Sequence, residues 1–134
     1  MNGGIELKYL FVCIENAGRS QMADGFGKKF GLNCESAGTF PSSEINPLAV
    51  QAMKEKGIDI EANTPRIMTE EMVRSADLVI IMGCSIEEAC PRPIAVEMKK
   101  KVVDWGIEDP KGKPIEKVRE IRDVIEGKVR ELPQ

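Results

Sequence analysis

The sequence contains no histidine. This absence removes the commonest general base and the commonest metal ligand. Serine–histidine and cysteine–histidine nucleophile pairs are therefore excluded, as are metal sites built on imidazole. The apolar runs are also far shorter than the ~20 residues of a membrane-spanning helix, so we expect no membrane association. A nucleophile in this protein must be activated by something other than an imidazole base.

An excess of positive charge is missing as well. The 19 Lys and Arg residues are outnumbered by 22 Asp and Glu residues, which gives a net charge of -3 at pH 7. We therefore expect no nucleic-acid partner, because proteins that bind polyanions normally carry a basic surface. With 134 residues, 42% of them hydrophobic, the chain has the length and apolar content of one globular domain, which we place at residues 1–134.

Four cysteines are present in a chain that is long enough to fold without disulfide bonds. The first residues show no secretory signal. We therefore expect a cytoplasmic protein, where cysteine pairs are more often catalytic or metal-binding than structural. The cysteines are Cys13, Cys34, Cys84 and Cys90.

Short apolar runs alternate with amphipathic stretches along the chain. This alternation predicts a compact α/β domain with a mostly parallel, doubly wound sheet. Ser20 is expected to cap the first helix or to open its first turn. We predict strands at 9–14, 34–37, 77–83 and 101–104, helices at about 20–31, 47–56 and 115–132, and a short capped helix that begins at Thr69.

The segment between the first strand and the first helix carries the clearest chemical signal. Cys13 and Arg19 are separated by five residues, and such a loop can direct backbone N–H groups and a helix N-terminus at a tetrahedral oxyanion. Arg19 can add two parallel hydrogen bonds, while a thiolate at Cys13, supported by Ser20, can attack the bound central atom. The alternative is a buried strand end at Cys13 and a solvated Arg19. The predicted oxyanion loop, residues 13–19, binds through Ile14, Glu15, Asn16, Ala17, Gly18 and Arg19.

These residues also carry a family resemblance. The segment Phe11–Phe26 resembles the active-site loop of the low-molecular-weight phosphotyrosine phosphatase superfamily, and Arg19–Ala23 resembles its thioredoxin-coupled arsenate reductases. The similarity covers nearly the whole chain, through Ser36–Gly38, Ser75–Val79 and further motifs. It implies a single domain with a four-stranded parallel sheet flanked by helices.

Asp109 and Pro110 lie in a loop rich in Gly and Pro before the last helix. Alone, an Asp-Pro pair is typical of a turn. The resemblance places the general acid at Asp109, where it would protonate the departing oxygen. Asp104, at the end of the last predicted strand, is the competing candidate. The superfamily's phosphotyrosine phosphatases have tyrosines after this pair, whereas Lys111 follows here.

Cys84 and Cys90 follow directly on a predicted buried strand. They could be two separately buried thiols, a metal pair or a redox pair, although zinc sites usually have spacings of two to four and further ligands. The resemblance implies a redox pair, in a loop shorter than in some relatives. It also implies a partial match to a potassium site at Asn16, Asp24 and Ser36, with Arg66 in place of an acidic ligand. Cys34 is expected in the core, and we expect no metal and no cofactor.

The resemblance implies an arsenate reductase that uses Cys13, Cys84 and Cys90 in a thiol–disulfide cascade. Its partners would be arsenate or phosphate and thioredoxin or a similar dithiol reductant. Two alternatives stay open. One is a phosphatase that hydrolyses phosphate monoesters through a phosphocysteine, and the other is a non-catalytic oxyanion or redox sensor. The predicted catalytic residues are Cys13, Arg19, Ser20, Asp109, Cys84 and Cys90.

Overall fold

The computed structural model describes residues 7–83 and 101–134, and these ranges contain four strands and four helices. The strands are β1 (Lys8–Cys13), β2 (Asn33–Gly38), β3 (Leu78–Ile81) and β4 (Val102–Asp104). The helices are α1 (Arg19–Lys29), α2 (Pro47–Lys54), α3 (Glu70–Ser75) and α4 (Ile115–Arg130). The predicted elements are thus present, with ends that differ by a few residues.

The sheet has the order β2-β1-β3-β4, and all its pairs are parallel. β1 therefore has β2 on one side and β3 on the other, so the chain changes its direction of winding after β2. Ligands of open parallel sheets bind at the carboxyl ends of the strands beside such a switch point. Cys13 is the last residue of β1 and pairs with Gly38, which places it at this position.

β1 is buried on both faces because its apolar residues alternate between two clusters. Tyr9 and Phe11 pack with α1, α2 and α4, while Leu10 and Val12 pack with the side of the sheet that α3 covers. All four side chains are at most 1% exposed. Truncating Phe11 to Ala is expected to cost about 3–5 kcal/mol, which shows how strongly the strand beneath the oxyanion loop is held.

α1 begins directly after the oxyanion loop, and its N-cap residue is Gly18 rather than Ser20. Ser20 lies in the first turn, which was the second of the two predicted positions. Its side chain does not cap the helix, because its hydroxyl bonds Cys13 and Asn16 instead. The N-terminus of α1 thus has no side-chain cap at the point where the oxyanion loop ends.

α4 packs against α1 and α2 through buried apolar residues at three- and four-residue steps. The chain end is fixed to the sheet, since the Tyr9 hydroxyl donates to the Pro133 carbonyl. Among the residues described, no helix has both the length and the apolar content to cross a membrane. The apolar residues of α4 that face the core are Val118, Ile121, Ile125 and Val129.

Candidate functional site

A cleft of about 360 Å³ opens above the carboxyl end of β1. Three stretches of chain form its walls: the oxyanion loop, residues 42–47, and residues 109–112. The second of these walls was not predicted, because nothing in its sequence marks it as part of a site. Its position follows from main-chain hydrogen bonds to the oxyanion loop, in which the Phe40, Ser42 and Asn46 N–H groups donate at 2.8–3.0 Å.

These same hydrogen bonds orient the peptide groups of the oxyanion loop. The carbonyls of Ile14, Glu15 and Ala17 accept from outside the loop, at 2.9, 3.0 and 2.8 Å. In a trans peptide the N–H of the next residue points the opposite way. The N–H groups of the loop are therefore turned towards its centre, and the Asn16 N–H reaches the Cys13 sulfur at 3.2 Å. This arrangement is a nest for an anion.

Asn16 holds the loop in this conformation. It has φ of 52°, a left-handed conformation that Asn tolerates better than most residues. Its side chain is fully buried and makes three hydrogen bonds. Oδ1 accepts from Gln21 Nε2 at 3.0 Å and from the Arg66 N–H at 2.9 Å, while Nδ2 donates to Ser20 Oγ at 2.8 Å. The sequence assigns Asn16 to oxyanion binding and to the partial potassium match. Its side-chain role in holding the loop depends on the folded loop and, through Arg66, on a residue distant in sequence.

Cys13 is 3% exposed, and its sulfur lies 2.8 Å from Ser20 Oγ. Because Asn16 Nδ2 donates to Ser20 Oγ, the single proton of the Ser20 hydroxyl is free to point at the sulfur. The sulfur also accepts from the Asn16 N–H. Two hydrogen-bond donors, the Ser20 hydroxyl and the Asn16 N–H, are thus directed at one sulfur.

Arg19 is 8% exposed, so the alternative of a solvated helix-start residue is wrong. Its Nη1 donates to the carbonyls of Met82 at 2.6 Å and Ile107 at 2.9 Å. These carbonyls follow β3 and β4, and they fix the plane of the guanidinium beside the loop. Nη2 lies 3.7 Å from Asp109 Oδ2. The structure thus brings Cys13, Arg19 and Asp109 to one cleft.

The two candidate acids occupy different environments. Asp109 lines the cleft, and its side chain is 57% exposed. Asp104 accepts hydrogen bonds from the N–H groups of Gly83 at 3.0 Å and Gly106 at 2.8 Å. Asp104 therefore joins the chain after β3 to the chain after β4, whereas Asp109 is placed to reach a bound ligand.

The residues of the potassium match do not fit a potassium ion. The Arg66 guanidinium donates to the Ser36 carbonyl at 3.2 Å, and its backbone N–H occupies Asn16 Oδ1. Asp24 pairs with Lys28 at 2.8 Å. The positively charged side chains of Arg66 and Lys28 thus lie against oxygen atoms of this match, where a cation would be repelled.

Cys34 is in the core, as predicted. Its sulfur donates to Asp24 Oδ1 at 3.2 Å. Burial, together with the neighbouring Asp24 carboxylate, raises the pKa of Cys34 to about 12, so this thiol stays protonated at neutral pH. The two cysteines of the predicted redox pair, Cys84 and Cys90, lie outside the described residues.

Comparison with known proteins agrees with this geometry. The family model described as low molecular weight phosphotyrosine protein phosphatase matches residues 8–134. Arsenate reductase 2 of Staphylococcus epidermidis is 37% identical over 118 residues, covering 86% of this chain and 87% of that protein.

Two solved structures are similar over most of their length. One, an arsenate reductase in the phosphate binding state, has a TM-score of 0.79 and 33% identity, covering 92% of this chain and 94% of that one. The other, the YwlE arginine phosphatase from Geobacillus stearothermophilus, has a TM-score of 0.80 and 30% identity, covering 92% and 88%. Since the family model matches nearly the whole sequence, the chain belongs to the low molecular weight phosphotyrosine protein phosphatase family.

Proposed function

We propose that this protein reduces arsenate to arsenite. The observation that carries the proposal is the position of the Cys13 sulfur. It lies at the N-terminus of α1, hydrogen-bonded by Ser20 and by the Asn16 N–H, in a cleft that also contains Arg19 and Asp109. The similarity to arsenate reductases supports arsenate as the oxyanion.

The first step joins the substrate to the protein. Arsenate binds to the inward N–H groups of the oxyanion loop and to Arg19. The Cys13 thiolate attacks arsenic and forms a sulfur–arsenic bond, while one arsenic–oxygen bond breaks. Asp109 donates a proton to the departing oxygen, which leaves as water. Arsenic is still pentavalent at this point.

The second step moves two electrons from thiols to arsenic, and the third step moves the resulting disulfide away from Cys13. The Cys84 thiolate attacks the Cys13 sulfur and forms a disulfide, and the electron pair of the sulfur–arsenic bond passes to arsenic, which leaves as arsenite. The Cys90 thiolate then attacks the Cys84 sulfur and releases the Cys13 thiolate. The disulfide between Cys84 and Cys90 is reduced by an external dithiol of the thioredoxin class, in the cytoplasm.

A phosphatase is the second candidate. The oxyanion loop would bind a phosphate monoester equally well, and water would hydrolyse the phosphocysteine with Asp109 as base. The similarity to an arginine phosphatase favours this candidate, as does the extension of the cleft along residues 42–47, which leaves room for a substituent on the phosphate. Among the described residues that line the cleft none is aromatic, which offers little for an aryl group to stack on.

One set of assays separates the candidates. Arsenite formation is measured with thioredoxin, thioredoxin reductase and NADPH, and phosphate release is measured from an aryl phosphate and from phosphoarginine. We expect arsenite formation that depends on thioredoxin. Phosphate release without arsenite formation would instead support the phosphatase, and oxyanion binding without either product would support a sensor.

The Cys84 and Cys90 variants test the cascade itself. Cys84→Ser should stop the reaction before arsenite is released, because no thiol attacks Cys13. Cys90→Ser should complete one turnover and retain a disulfide between Cys13 and Cys84, detectable by mass mapping. Cys34→Ser is the matched control, since this buried thiol lies outside the cleft, and it should react as wild type. Normal turnover by the Cys84 and Cys90 variants would disprove the cascade.

A further inference from the structure

The loop that carries Asp109 is held against the oxyanion loop at several points. We call residues 107–112 the acid loop. At its first residue, the Ile107 carbonyl accepts from Arg19 Nη1 at 2.9 Å. The next contact is the 3.7 Å approach of Asp109 to Arg19. Both contacts lie on the inner side of the acid loop, next to the buried guanidinium.

Pro110 packs directly on Gly18. A Cβ atom on Gly18 would lie 3.1 Å from the Pro110 Cγ and 3.7 Å from its Cδ. The first distance is shorter than an ordinary van der Waals contact, so only glycine allows this approach without a shift. The two loops are therefore in contact beside the Asp109 backbone as well as through Arg19.

The outer edge of the acid loop is held by an ion pair. Lys111 Nζ lies 2.8 Å from Glu15 Oε2, and both residues line the cleft. The hydrogen bond with Glu15 raises the pKa of Lys111, so this side chain stays charged at neutral pH. The ion pair therefore connects the oxyanion loop, at a position two residues after Cys13, to the acid loop, at a position two residues after Asp109.

Lys111 also contacts Asp109 itself. Its backbone N–H donates to Asp109 Oδ1 at 3.0 Å, while Asp109 Oδ2 is the oxygen nearer to Arg19. The position of the Lys111 backbone therefore sets the orientation of the Asp109 carboxyl group. Fixing the Lys111 side chain on the oxyanion loop restrains that backbone.

We propose that Glu15 and Lys111 are positioning residues, and that their ion pair holds Asp109 over the oxyanion loop in the orientation for proton transfer. This inference rests on the proposed role of Asp109 as proton donor. Neither side chain needs to touch the oxyanion, so the pair acts on the chemical step rather than on binding. An exposed pair of this kind is expected to change the rate about two- to fivefold.

Four variants test this inference: Glu15→Gln, Lys111→Gln, their double variant and Lys111→Arg. Each single Gln variant should lower kcat about two- to fivefold with little change in KM. The double variant should be no slower than either single one, because both remove the same interaction. Lys111→Arg keeps the charge and should restore kcat. The matched control is Lys54→Gln, which removes an exposed lysine that pairs with Glu61 outside the cleft, and it should react as wild type.

Rates are measured with arsenate and with an aryl phosphate, because Asp109 would serve both reactions. Amide hydrogen exchange of residues 107–112 gives a readout that needs no turnover. Exchange should be faster in Glu15→Gln and Lys111→Gln than in wild type or Lys54→Gln. Unchanged exchange in both variants would overturn the inference. So would a double variant whose loss of kcat is the sum of the two single losses, or an effect that changes KM alone.

Failure of the proposed function gives a different result. If arsenate is not reduced but the aryl phosphate is hydrolysed, kcat for hydrolysis tests the ion pair in the same way. If Asp109→Asn leaves both rates unchanged, the proton-donor role is wrong, and with it the catalytic part of this inference. The exchange result then still decides whether the ion pair holds the acid loop.

Discussion

Cys13 is the residue on which all the proposed covalent chemistry depends. We predict that Cys13→Ser lowers arsenite formation and aryl phosphate hydrolysis to background, because a serine hydroxyl in this site remains protonated and is a poor nucleophile. Phosphate binding should be partly retained, since Arg19 and the loop N–H groups are unchanged. Calorimetric titration with phosphate measures the binding. Substantial turnover by this variant would remove Cys13 from the mechanism.

Arg19 has two functions in the structure, and Lys can replace neither fully. Lysine lacks the planar group that bonds an oxyanion at two points, and it cannot also reach the carbonyls of Met82 and Ile107. We predict that Arg19→Lys reduces turnover severely and lowers the free energy of unfolding by about 2–4 kcal/mol. Urea denaturation measures the second effect. A variant with wild-type stability and phosphate affinity would contradict the arrangement described here.

The two acids at this edge of the sheet should behave differently when they are made neutral. Asp109→Asn is predicted to slow the chemical step roughly 100- to 10,000-fold, the usual contribution of a general acid. Asp104→Asn should have a much smaller effect, because an Asn oxygen can still accept from the Gly83 and Gly106 N–H groups. Single-turnover rates with arsenate measure both. If Asp104→Asn is the slower variant, the proton donor is misassigned.

At the scale of elements, the end of β3 is the connection that places Arg19. Gly83 follows this strand with φ of +101°, and a Cβ there would lie 2.4 Å from the Ile107 carbonyl oxygen and 3.0 Å from Arg19 Nη1. A side chain at this position would push β3 and the acid loop apart. The two segments come this close because the carbonyls that follow β3 and β4 both accept hydrogen bonds from the Arg19 guanidinium.

We therefore predict that Gly83→Ala lowers the free energy of unfolding by about 2–4 kcal/mol, through backbone strain and the loss of these contacts. The control is Gly31→Ala, which has φ of +85° but no neighbouring atom within 4 Å of the added Cβ. This control should cost only about 1 kcal/mol. Urea denaturation compares the two, and equal losses would show that the contacts of Gly83 contribute nothing.

At the scale of the whole molecule, one carboxylate joins α4 to the end of α2. Glu55 lies 2.7 Å from Arg119 Nη2 and 2.7 Å from Arg122 Nη1, and Arg122 also donates to the Ala52 carbonyl. The hydrogen bond with Arg119, followed by that with Arg122, lowers the pKa of Glu55 from 4.5 to about 2. The folded state therefore holds the charged form of Glu55 more strongly than the unfolded state does.

The sign of the pH effect follows from this difference. A carboxyl group with a lowered pKa in the folded state stabilises that state above its unfolded pKa and loses this contribution as pH falls through the folded value. We predict that Glu55→Gln is less stable than wild type at pH 7. The difference should shrink between about pH 5 and pH 2, as thermal unfolding across this range would show. A difference independent of pH would contradict the prediction.

Much of the fold could be predicted because its signals are local. The apolar runs of β1 and β3 and the spacing of Val118, Ile121 and Ile125 are set by residues close in sequence. Helix ends follow local rules as well, such as the Asn46 cap of α2 and the Thr69 cap of α3. Ser20 does not follow these local rules, because its hydroxyl makes hydrogen bonds to Cys13 and Asn16. These buried hydrogen bonds in the site replace the helix cap that Ser20 could otherwise provide.

By itself, the sequence determined the α/β class, the position of the oxyanion loop and the placement of Cys13 and Arg19 within it. Only the tertiary structure decided which acid reaches the cleft, since Asp104 and Asp109 differ in what surrounds them rather than in type. It also decided that residues 42–47 line the cleft, that Asn16 organises the loop, and that Glu15 pairs with Lys111. The physical reason is that residues 42–47 and Lys111 reach the oxyanion loop from segments far apart in sequence, while the contacts of Asn16 depend on the left-handed backbone of the folded loop, and local sequence patterns encode neither.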